Sequence, residues 1–334
     1  MCTRATYLGP EETVITTRSL DWVGSMDTNL WVFPRGMERD GAAGPHALRW
    51  TSHYGSITSS GWDAVTVDGM NERGLVANLL YLVESDYGAP LPNDPRPPIS
   101  ISTWTQYVLD NFATVDEAVT ALRQEPFYII AIETPDGYPG VGHLAITDPT
   151  GDSAILEYIA GKLVIHHGRQ YQVMTNSPIY SEQLALNAYW EQIGGTVMLP
   201  GTERAADRFV RASFYINAVP QTSEIAPALA SAFGVIRNVS VPLGLSTPGE
   251  PNISSTLWRT VSDQKHLVYY FESTQSPFLL WIALADLDFT AGAPALKLPL
   301  AEDSALVRDG SYVSGDAAPW LTPAEPFAFL PATP

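Results

Sequence analysis

The sequence predicts an α+β protein with two mainly antiparallel sheets and helices packed outside them. Strand-like runs form three groups along the chain, and two groups of helical segments separate them. This order favours stacked layers of sheet and helix. Of the 334 residues, 45% are hydrophobic and only 16% are charged, which is sufficient for a large core. No linker, repeat or low-complexity segment divides the chain, so we expect a single domain over residues 1–334.

The first group of strands occupies residues 3–82. Its predicted members are Thr3–Tyr7, Thr13–Thr17, Leu30–Phe33, Ala64–Val67 and Leu75–Leu82. The last two strands flank the segment Asp68-Gly69-Met70-Asn71, which is rich in turn-forming residues. We therefore predict a hairpin with its turn at these four residues.

Two short helices follow a predicted loop. The proline-rich stretch Gly88–Pro98 predicts the loop, because proline and glycine interrupt regular structure. The segments Ser102–Asn111 and Val115–Arg123 predict the helices. Thr114 is a suitable N-cap for the second helix, and Glu117 lies at the capping-box spacing from it.

The remainder of the chain repeats this alternation. The second group of predicted strands comprises Tyr128–Glu133, Leu144–Thr147, Ser153–Tyr158, Lys162–His166 and Gln170–Met174. Helical periodicity then predicts Ile179–Ile193, Arg204–Asn217 and Ile225–Arg237. The last predicted strands are Ser255–Ser262, His266–Phe271 and Phe278–Ala283. A proline-rich tail follows them.

The charge of the chain argues against nucleic-acid and membrane partners. The chain has 36 acidic and 18 basic residues, a formal net charge of −18, which repels phosphate backbones and anionic lipid. No apolar run approaches the roughly 18 residues that a membrane-spanning helix requires. No signal peptide is visible at the start, so the sequence as it stands predicts a cytoplasmic protein. A periplasmic location would require that a signal peptide once preceded Cys2.

The single cysteine lies at position 2, directly after the initiator methionine. Removal of Met1 would leave Cys2 with a free α-amino group and a thiol, which titrate at about 8 and about 8.5 in reference peptides. The amine can then accept the thiol proton, and the thiolate can attack a carbonyl. The alternatives are a small buried hydrophobic residue and a redox-sensing thiol.

The sequence gives little support for other chemistry. One cysteine excludes an internal disulfide and a cysteine-based zinc site. The six histidines show no metal-ligand spacing on a helix, so no metal ligands are predicted. A serine-nucleophile elbow and a phosphate-binding glycine loop are also absent from the sequence.

Other residues could support a cysteine nucleophile. Arg18 could stabilise a thiolate and Asp21 could hold an α-amine, although a surface ion pair in a loop has the same pattern. Asn176, between a strand and a helix, could bind an oxyanion with its amide group or could act as a helix cap. The backbone N–H of Tyr81 could complete an oxyanion hole. Arg208 could bind a carboxylate or lie on a solvated helix face.

Six segments, taken in order, resemble the choloylglycine hydrolase family, which includes bile salt hydrolases and penicillin V acylases. The segments are Met1-Cys2-Thr3, Arg18-x-Leu20-Asp21-Trp22, Pro34-Arg35-Gly36, Gly69-Met70-Asn71-Glu72-x-Gly74-Leu75, Thr175-Asn176-Ser177-Pro178 and Arg208-Phe209-Val210-Arg211. Each segment alone is a weak signal. Six segments that occur in the order of the family, beginning with an N-terminal cysteine, are a specific signal.

The resemblance implies an N-terminal nucleophile hydrolase with a four-layered αββα fold. It implies that Cys2 is both nucleophile and base, and that Arg18 and Asp21 support its thiol and amine. Asn176 and the backbone N–H of Tyr81 would form the oxyanion hole. The implied reaction is amide hydrolysis through a thioester, which needs no metal or organic cofactor.

Two features favour the Gram-negative branch of that family. Typical bile salt hydrolases have asparagine where this chain has Tyr81, and penicillin V acylases often have tyrosine there. Arg208 matches the catalytic-site arginine of the family. About 30 residues separate Asn176 from Arg208, whereas Gram-positive members have a longer insertion there, which is used in tetramer assembly. The branch includes penicillin V acylases that also cleave N-acyl-homoserine lactones.

We therefore expect an amidase that acts on small N-acyl amides, namely penicillin V, N-acyl-homoserine lactones or both. The alternatives are a bile salt hydrolase and a non-catalytic binding protein on the same fold. The resemblance also implies a homotetramer. Leu20, Trp22, Tyr81 and Tyr87 are candidates for an apolar acyl pocket, because aromatic side chains stack on a phenoxy ring, although each could equally be core.

Overall fold

Two large β-sheets face each other across the main core, and helices cover their outer faces. The structure is a computed structural model that describes residues 2–89, 94–276, 278–300, 307–308, 311–312 and 314–332. The order of the layers is helix, sheet, sheet, helix, as the sequence predicts.

The seven-stranded sheet is antiparallel except at one edge. Its strands, in spatial order, are β16 (Val173–Met174), β1 (Cys2–Leu8), β2 (Val14–Asp21), β19 (Thr256–Asp263), β20 (Val268–Ser273), β21 (Leu279–Ala283) and β25 (Gly315–Asp316). Only the edge pair of β21 and β25 is parallel among these described strands.

The nine-stranded sheet forms the second inner layer. Its strands, in spatial order, are β15 (Lys162–His167), β14 (Ser153–Ile159), β13 (Gly142–Thr147), β8 (Val76–Tyr81), β7 (Val65–Asn71), β6 (Ser56–Gly61), β3 (Leu30–Phe33), β22 (Leu296–Leu298) and β26 (Thr322–Pro323). The pairs of this sheet are antiparallel.

Short two-stranded ladders surround these sheets. They are β4 (Glu38–Asp40) with β5 (Arg49–Thr51), β9 (Pro98–Ser100) with β10 (Tyr128–Ile130), β11 (Ile132–Glu133) with β12 (Pro139–Gly140), β17 (Ser246–Thr247) with β18 (Glu250–Ser254), and β23 (Val307–Arg308) with β24 (Ser311–Tyr312). Short 3-10 turns are formed by Leu284–Asp286 and Ala318–Trp320.

The α-helices within the described residues form the two outer layers. They are α1 (Ile101–Asn111), α2 (Val115–Leu122), α3 (Tyr180–Ile193), α4 (Ala205–Ala218) and α5 (Ile225–Asn238). The first two pack on the nine-stranded sheet, α4 and α5 pack on the seven-stranded sheet, and α3 packs on α4. The capping box that the sequence predicts at Thr114 and Glu117 is present at the start of α2.

Strands β1 and β2 are buried along almost their whole length. Helices α4 and α5 cover one face of this pair, and the nine-stranded sheet covers the other. A strand covered on both faces places polar residues in the interior as well as apolar ones. The register pairs Cys2 with Leu20. Cys2 therefore lies beside the end of β2, which contains Arg18 and Asp21.

The predicted turn at Asp68-Gly69-Met70-Asn71 is wrong. These residues are the second half of β7, and they pair with β6 and β8. The turn follows at Glu72-Arg73. Gly69 is required by close packing, because a Cβ there would lie 2.7 Å from the carbonyl oxygen of Ile57 and 2.8 Å from Cδ1 of Leu109. A glycine that allows close packing in a strand has the same sequence signal as a turn glycine.

Other elements differ from the sequence prediction in extent. The predicted strand Thr13–Thr17 continues through Asp21 as part of β2. The predicted strand Tyr128–Glu133 is divided between β10 and β11, and Gln170–Met174 is reduced to β16. The polar strand β6 and the short strands of the proline-rich tail have no clear periodicity. In the predicted loop Gly88–Pro98, residues 90–93 lie outside the described residues, and Pro98 begins β9.

A half-buried carboxylate fastens the C-terminal part of the chain to the nine-stranded sheet. Asp63 lies in the turn between β6 and β7 and accepts hydrogen bonds from Lys297 Nζ at 2.5 Å and Trp31 Nε1 at 2.8 Å. Ser60 and Asn29 donate two more. Burial raises the pKa of Asp63, but these hydrogen bonds outweigh burial and the net pKa is lowered.

The variant Asp63→Asn should therefore destabilise the protein in a pH-dependent way. A carboxyl with a lowered folded-state pKa contributes stability above its unfolded pKa, and this contribution is lost as the pH falls through the folded value. We expect a loss of about 1 kcal/mol at pH 7, and a smaller loss below about pH 4, in urea unfolding. Asp63 has a φ of 46°, which asparagine tolerates. In the control Asp40→Asn, which removes an exposed ion pair with Arg49, little change is expected. A loss that is equal at both pH values would contradict this account.

Candidate active site

Cys2 is held in the interior at the start of β1. It is only 4% exposed, although a residue so near a terminus is expected to be frayed. Its backbone N–H donates to Oδ1 of Asn176 at 2.5 Å, and its carbonyl accepts from Nη1 of Arg208 at 2.7 Å. The main chain of the cysteine is thus fixed from two sides, and its side chain lines an apolar pocket.

Arg18 brings a positive charge to the thiol. Its Nη2 lies 3.7 Å from Sγ of Cys2 and donates to the carbonyl of Leu79 at 3.1 Å. The guanidinium also lies over the ring of Trp258, 4.5 Å from the centroid. Because the side chain is 1% exposed and lies on β2, the alternative of a surface ion pair in a loop is wrong. A cation at this distance stabilises a thiolate.

Asp21 and Arg208 form a second charged group around the backbone of Cys2. Both are fully buried, and Nη1 of Arg208 lies 3.9 Å from Oδ2 of Asp21. Thr256 donates to Oδ1 of Asp21 at 2.5 Å. Burial lowers the pKa of Arg208, while the nearby charges of Asp21 and Cys2 oppose that change. Arg208 also donates to Thr3, so this arginine lies against β1 and not on a solvated helix face.

Asn176 connects Cys2, Arg208 and Tyr81. Its Oδ1 accepts from the N–H of Cys2 and from Nη2 of Arg208 at 3.0 Å. Its Nδ2 donates to the carbonyl of Tyr81 at 2.6 Å. An amide nitrogen has two hydrogens, so one remains for a developing oxyanion. The carbonyl of Asn176 accepts from Gln183 of α3, which fixes the position of the segment.

The apolar pocket beside Cys2 has a volume of about 540 Å³, which includes the open space at its mouth. Leu20, Trp22 and Tyr81, which are candidates from the sequence, line it. Trp22 and Tyr81 are in edge-to-face contact with ring centroids 5.3 Å apart. Trp62 also lines the pocket, and its ring lies 6.3 Å from that of Trp22.

Tyr87 does not line this pocket, contrary to the expectation from sequence. Its hydroxyl donates to the carbonyl of Gly142 and accepts from the N–H of the same residue, both at 3.0 Å. Its ring packs on Tyr158. Burial raises the pKa of the Tyr87 hydroxyl. Tyr87 therefore fixes β13 and contributes to the core.

The two sheets supply different parts of the site. Cys2, Arg18 and Asp21 lie on the seven-stranded sheet, whereas Trp62 and Val65 come from the nine-stranded sheet and its connecting turn. Further lining comes from the small ladder of β11 and β12, through Ile132 and Gly140. The sequence offers no signal for these wall residues, because they resemble ordinary core residues.

The tip of the β11–β12 hairpin lies on Trp22. The indole N–H of Trp22 donates to Oδ2 of Asp136 at 2.6 Å, and the ring of Tyr138 packs edge-on against that indole. Outside the apolar pocket, Tyr81 also lines a wider depression of about 1230 Å³ that contains Arg204 and Glu84. The site thus has an apolar side and a polar side, and Tyr81 lies between them.

The described part of the chain has neither a metal site nor a membrane-spanning helix. None of its groups of histidine, cysteine, aspartate and glutamate could hold a metal ion. None of its helices has the length and apolar character needed to cross a bilayer.

Comparison with known proteins gives matches over nearly the whole chain. Residues 2–296 match the choloylglycine hydrolase family of linear amide C-N hydrolases. The penicillin V acylase of Pectobacterium atrosepticum is 49% identical over 98% of this chain and 92% of its own length. A solved structure of penicillin V acylase from Agrobacterium tumefaciens is 56% identical and superposes with a TM-score of 0.90, covering 99% of this chain and 100% of the other.

More distant matches are bile acid enzymes. The bile salt hydrolase/transferase of Bifidobacterium longum subsp. longum is 24% identical over 86% of this chain and 96% of its own length. A variant of conjugated bile acid hydrolase from Clostridium perfringens is 20% identical, with a TM-score of 0.76, over 90% of this chain and 97% of the other. At such identity the likeness shows a common fold.

Proposed function

Because this chain belongs to the choloylglycine hydrolase family of linear amide C-N hydrolases, we propose that it is a penicillin V acylase-type amidase with Cys2 as its nucleophile. The chain is a hydrolase of linear amides, and the proposal concerns its acyl substrate and the roles of its residues. One observation carries it: Sγ of Cys2 lines an apolar pocket, 3.7 Å from the guanidinium of Arg18.

The proposed reaction begins at the nitrogen of Cys2, in a chain that starts at this residue. That nitrogen lies 2.5 Å from Oδ1 of Asn176, which would orient a free α-amine. The amine accepts the thiol proton and the thiolate attacks the carbonyl carbon of the substrate amide. A C–S bond forms, and the electron pair of the carbonyl moves to its oxygen.

The oxyanion is then stabilised by two donors. One is the second hydrogen of Asn176 Nδ2, and the other is the backbone N–H of Tyr81. Both residues already lie together, since Nδ2 of Asn176 is 2.6 Å from the carbonyl of Tyr81. One donor of this kind typically contributes roughly 3–4 kcal/mol of transition-state stabilisation.

Collapse of the tetrahedral intermediate breaks the C–N bond. The ammonium of Cys2 gives its proton to the leaving amine, and the acyl group remains as a thioester. Water then attacks the thioester carbonyl while the α-amine accepts a proton from the water. The free acid is released and the thiol of Cys2 is regenerated. Arg208 would hold the backbone of Cys2 throughout, through its 2.7 Å hydrogen bond to the carbonyl.

The acyl group is proposed to be phenoxyacetyl or a medium-to-long fatty acyl chain. The aromatic walls formed by Trp22, Trp62 and Tyr81 support this, because aromatic side chains stack on a phenoxy ring and give an alkyl chain large contact area. The similarity to penicillin V acylases supports it as well. N-acyl-homoserine lactones are therefore proposed substrates beside penicillin V.

The test is release of amine from penicillin V, a long-chain N-acyl-homoserine lactone and glycocholate, with an enzyme-free blank. We expect the first two to be cleaved faster than glycocholate. Faster cleavage of glycocholate would favour a bile salt hydrolase. Binding of penicillin V without any release, by a chain shown by mass spectrometry to start at Cys2, would favour a non-catalytic binding protein.

We also propose that residues 1–334 form a single domain and that the protein assembles as a homotetramer. Both proposals rest on the sequence and on the resemblance described above.

A further inference from the structure

One of the buried carboxylates that the proposed mechanism does not use lies near the active site. Asp68 on β7 is fully buried. It accepts a hydrogen bond from the hydroxyl of Tyr269 and another from Nδ2 of Asn78 at 2.6 Å. The hydroxyl of Ser59 lies 2.8 Å from that of Tyr269. The cluster formed by Asp68, Tyr269, Asn78 and Ser59 is here called the Asp68 cluster.

The Asp68 cluster lies between the two sheets, close to Arg18. Tyr269 belongs to β20 of the seven-stranded sheet, so Asp68 points from β7 into the gap between the sheets. Arg18 enters the same gap from β2 and donates to the carbonyl of Leu79. Leu79 is the neighbour of Asn78, and Asn78 is the cross-strand partner of Asp68.

Arg18 and Asp68 are both ionisable groups in the interior. Burial of an unpaired charge is costly, so each requires compensation. Within the described residues, Nε and Nη1 of Arg18 have no hydrogen-bond acceptor. Burial raises the pKa of Asp68, and the charge of Arg18 and the hydrogen bonds from Tyr269, Asn78 and Thr260 reduce that rise without cancelling it. Arg18 and Tyr269 are the titratable groups that face Asp68 from the opposite sheet.

We propose that Asp68 is a positioning residue that acts through Arg18. Its carboxylate supplies the counter-charge of the buried guanidinium, and it thereby limits how strongly Arg18 stabilises the thiolate of Cys2. This inference rests on the proposed roles of Cys2 and Arg18. It gives a function to the segment Asp68-Gly69-Met70-Asn71, whose sequence predicts a turn.

The variant Asp68→Asn removes this charge with little change of shape. Asn78 can accommodate the new amide, because its Oδ1 has no hydrogen-bond partner among the described residues. Rotation of the Asn78 amide would let Oδ1 accept from the new NH2 group. The charge is therefore the main property that the variant changes.

Alkylation by iodoacetamide at a series of pH values tests the proposal. The chain has one cysteine, so the label reports on Cys2 alone. In Asp68→Asn the guanidinium of Arg18 is uncompensated, and the thiolate becomes more stable. We expect the midpoint of the pH–rate profile to fall by about one pH unit. An unchanged midpoint would overturn the proposal, because Asp68 would then be neutral or its charge would not affect the site.

The control Ser59→Ala removes a hydroxyl from the Asp68 cluster without changing its charge. Its midpoint should equal that of the unmodified protein. An equal shift in both variants would mean that the cluster acts through packing, and it would also overturn the proposal.

A second measurement covers the case in which Asp68→Asn does not fold well. The double variant Arg18→Gln, Asp68→Asn contains neither charge and should have a higher Tm than Asp68→Asn alone. A double variant that is no more stable would contradict the pairing of these charges. Neither measurement needs a substrate, so a protein that releases no amine can still show the shift. Failure of the proposed function is thereby distinguished from failure of this inference.

Discussion

A Cys2→Ser variant is expected to lose at least about 10³-fold in kcat on penicillin V. A serine hydroxyl is far less acidic and less nucleophilic than a thiol, so a site arranged around a thiol activates it poorly. The side chain is 4% exposed and differs by one atom, so the fold should be retained. The measurement is initial-rate kinetics, together with the Tm of both proteins.

Three other outcomes would each be informative. A Cys2→Ser variant that retains more than about a tenth of the rate would place the nucleophile elsewhere. A variant that binds penicillin V as tightly as the unmodified protein, with neither protein releasing amine, would favour the binding-protein alternative. Peroxide-dependent dimers without amidase activity would favour the redox-sensor alternative for Cys2.

Replacement of Asn176 by alanine is expected to reduce kcat by roughly 10²–10³-fold. The change removes the proposed oxyanion donor Nδ2 and the Oδ1 acceptor that lies 2.5 Å from the nitrogen of Cys2. Because an oxyanion exists only in the transition state and the intermediate, KM should change much less than kcat. Steady-state kinetics on penicillin V separate the two parameters.

The matched control for this prediction is Asn187→Ala. Asn187 lies on α3, where its amide donates to Glu191 on the solvent side, so the kinetics should be unchanged. A loss confined to KM in Asn176→Ala would indicate a role in ground-state binding. It would argue against the oxyanion hole.

The layer order was predictable because it depends on strong, repeated signals. Long runs such as Ile225–Arg237 and Ser153–Tyr158 have clear periodicity, and the four-layered αββα arrangement is confirmed by the structure and its relatives. Strands with polar sequences, such as β6, were not predictable. Their burial depends on the opposite sheet, which periodicity within one segment does not report.

The candidate site was predictable where its residues lie in distinctive segments. Arg18, Asp21, Asn176 and Arg208 lie around Cys2 in the structure, although their catalytic roles are still proposals. The pocket walls were less predictable, because Trp62 and Ile132 have the sequence signal of any core residue. The sequence predicts a turn at Asp68 for a related reason: aspartate followed by glycine is a common turn signal, and only the burial of β7 on both faces overrides it.

The division of the site between two sheets has an evolutionary consequence. Cys2, Arg18 and Asp21 are held by hydrogen bonds within and beside the seven-stranded sheet, whereas Trp62 and Val65 belong to the opposite layer. Mutations of the wall residues Trp62 and Val65 can alter the size and shape of the acyl pocket while Cys2, Arg18 and Asp21 keep their spacing, whereas changes at Tyr81 or Asp68 of the same layer would affect the proposed catalytic groups. Enzymes that descend from one ancestor can therefore diverge in acyl specificity through substitutions in the pocket walls while they retain the same catalytic groups.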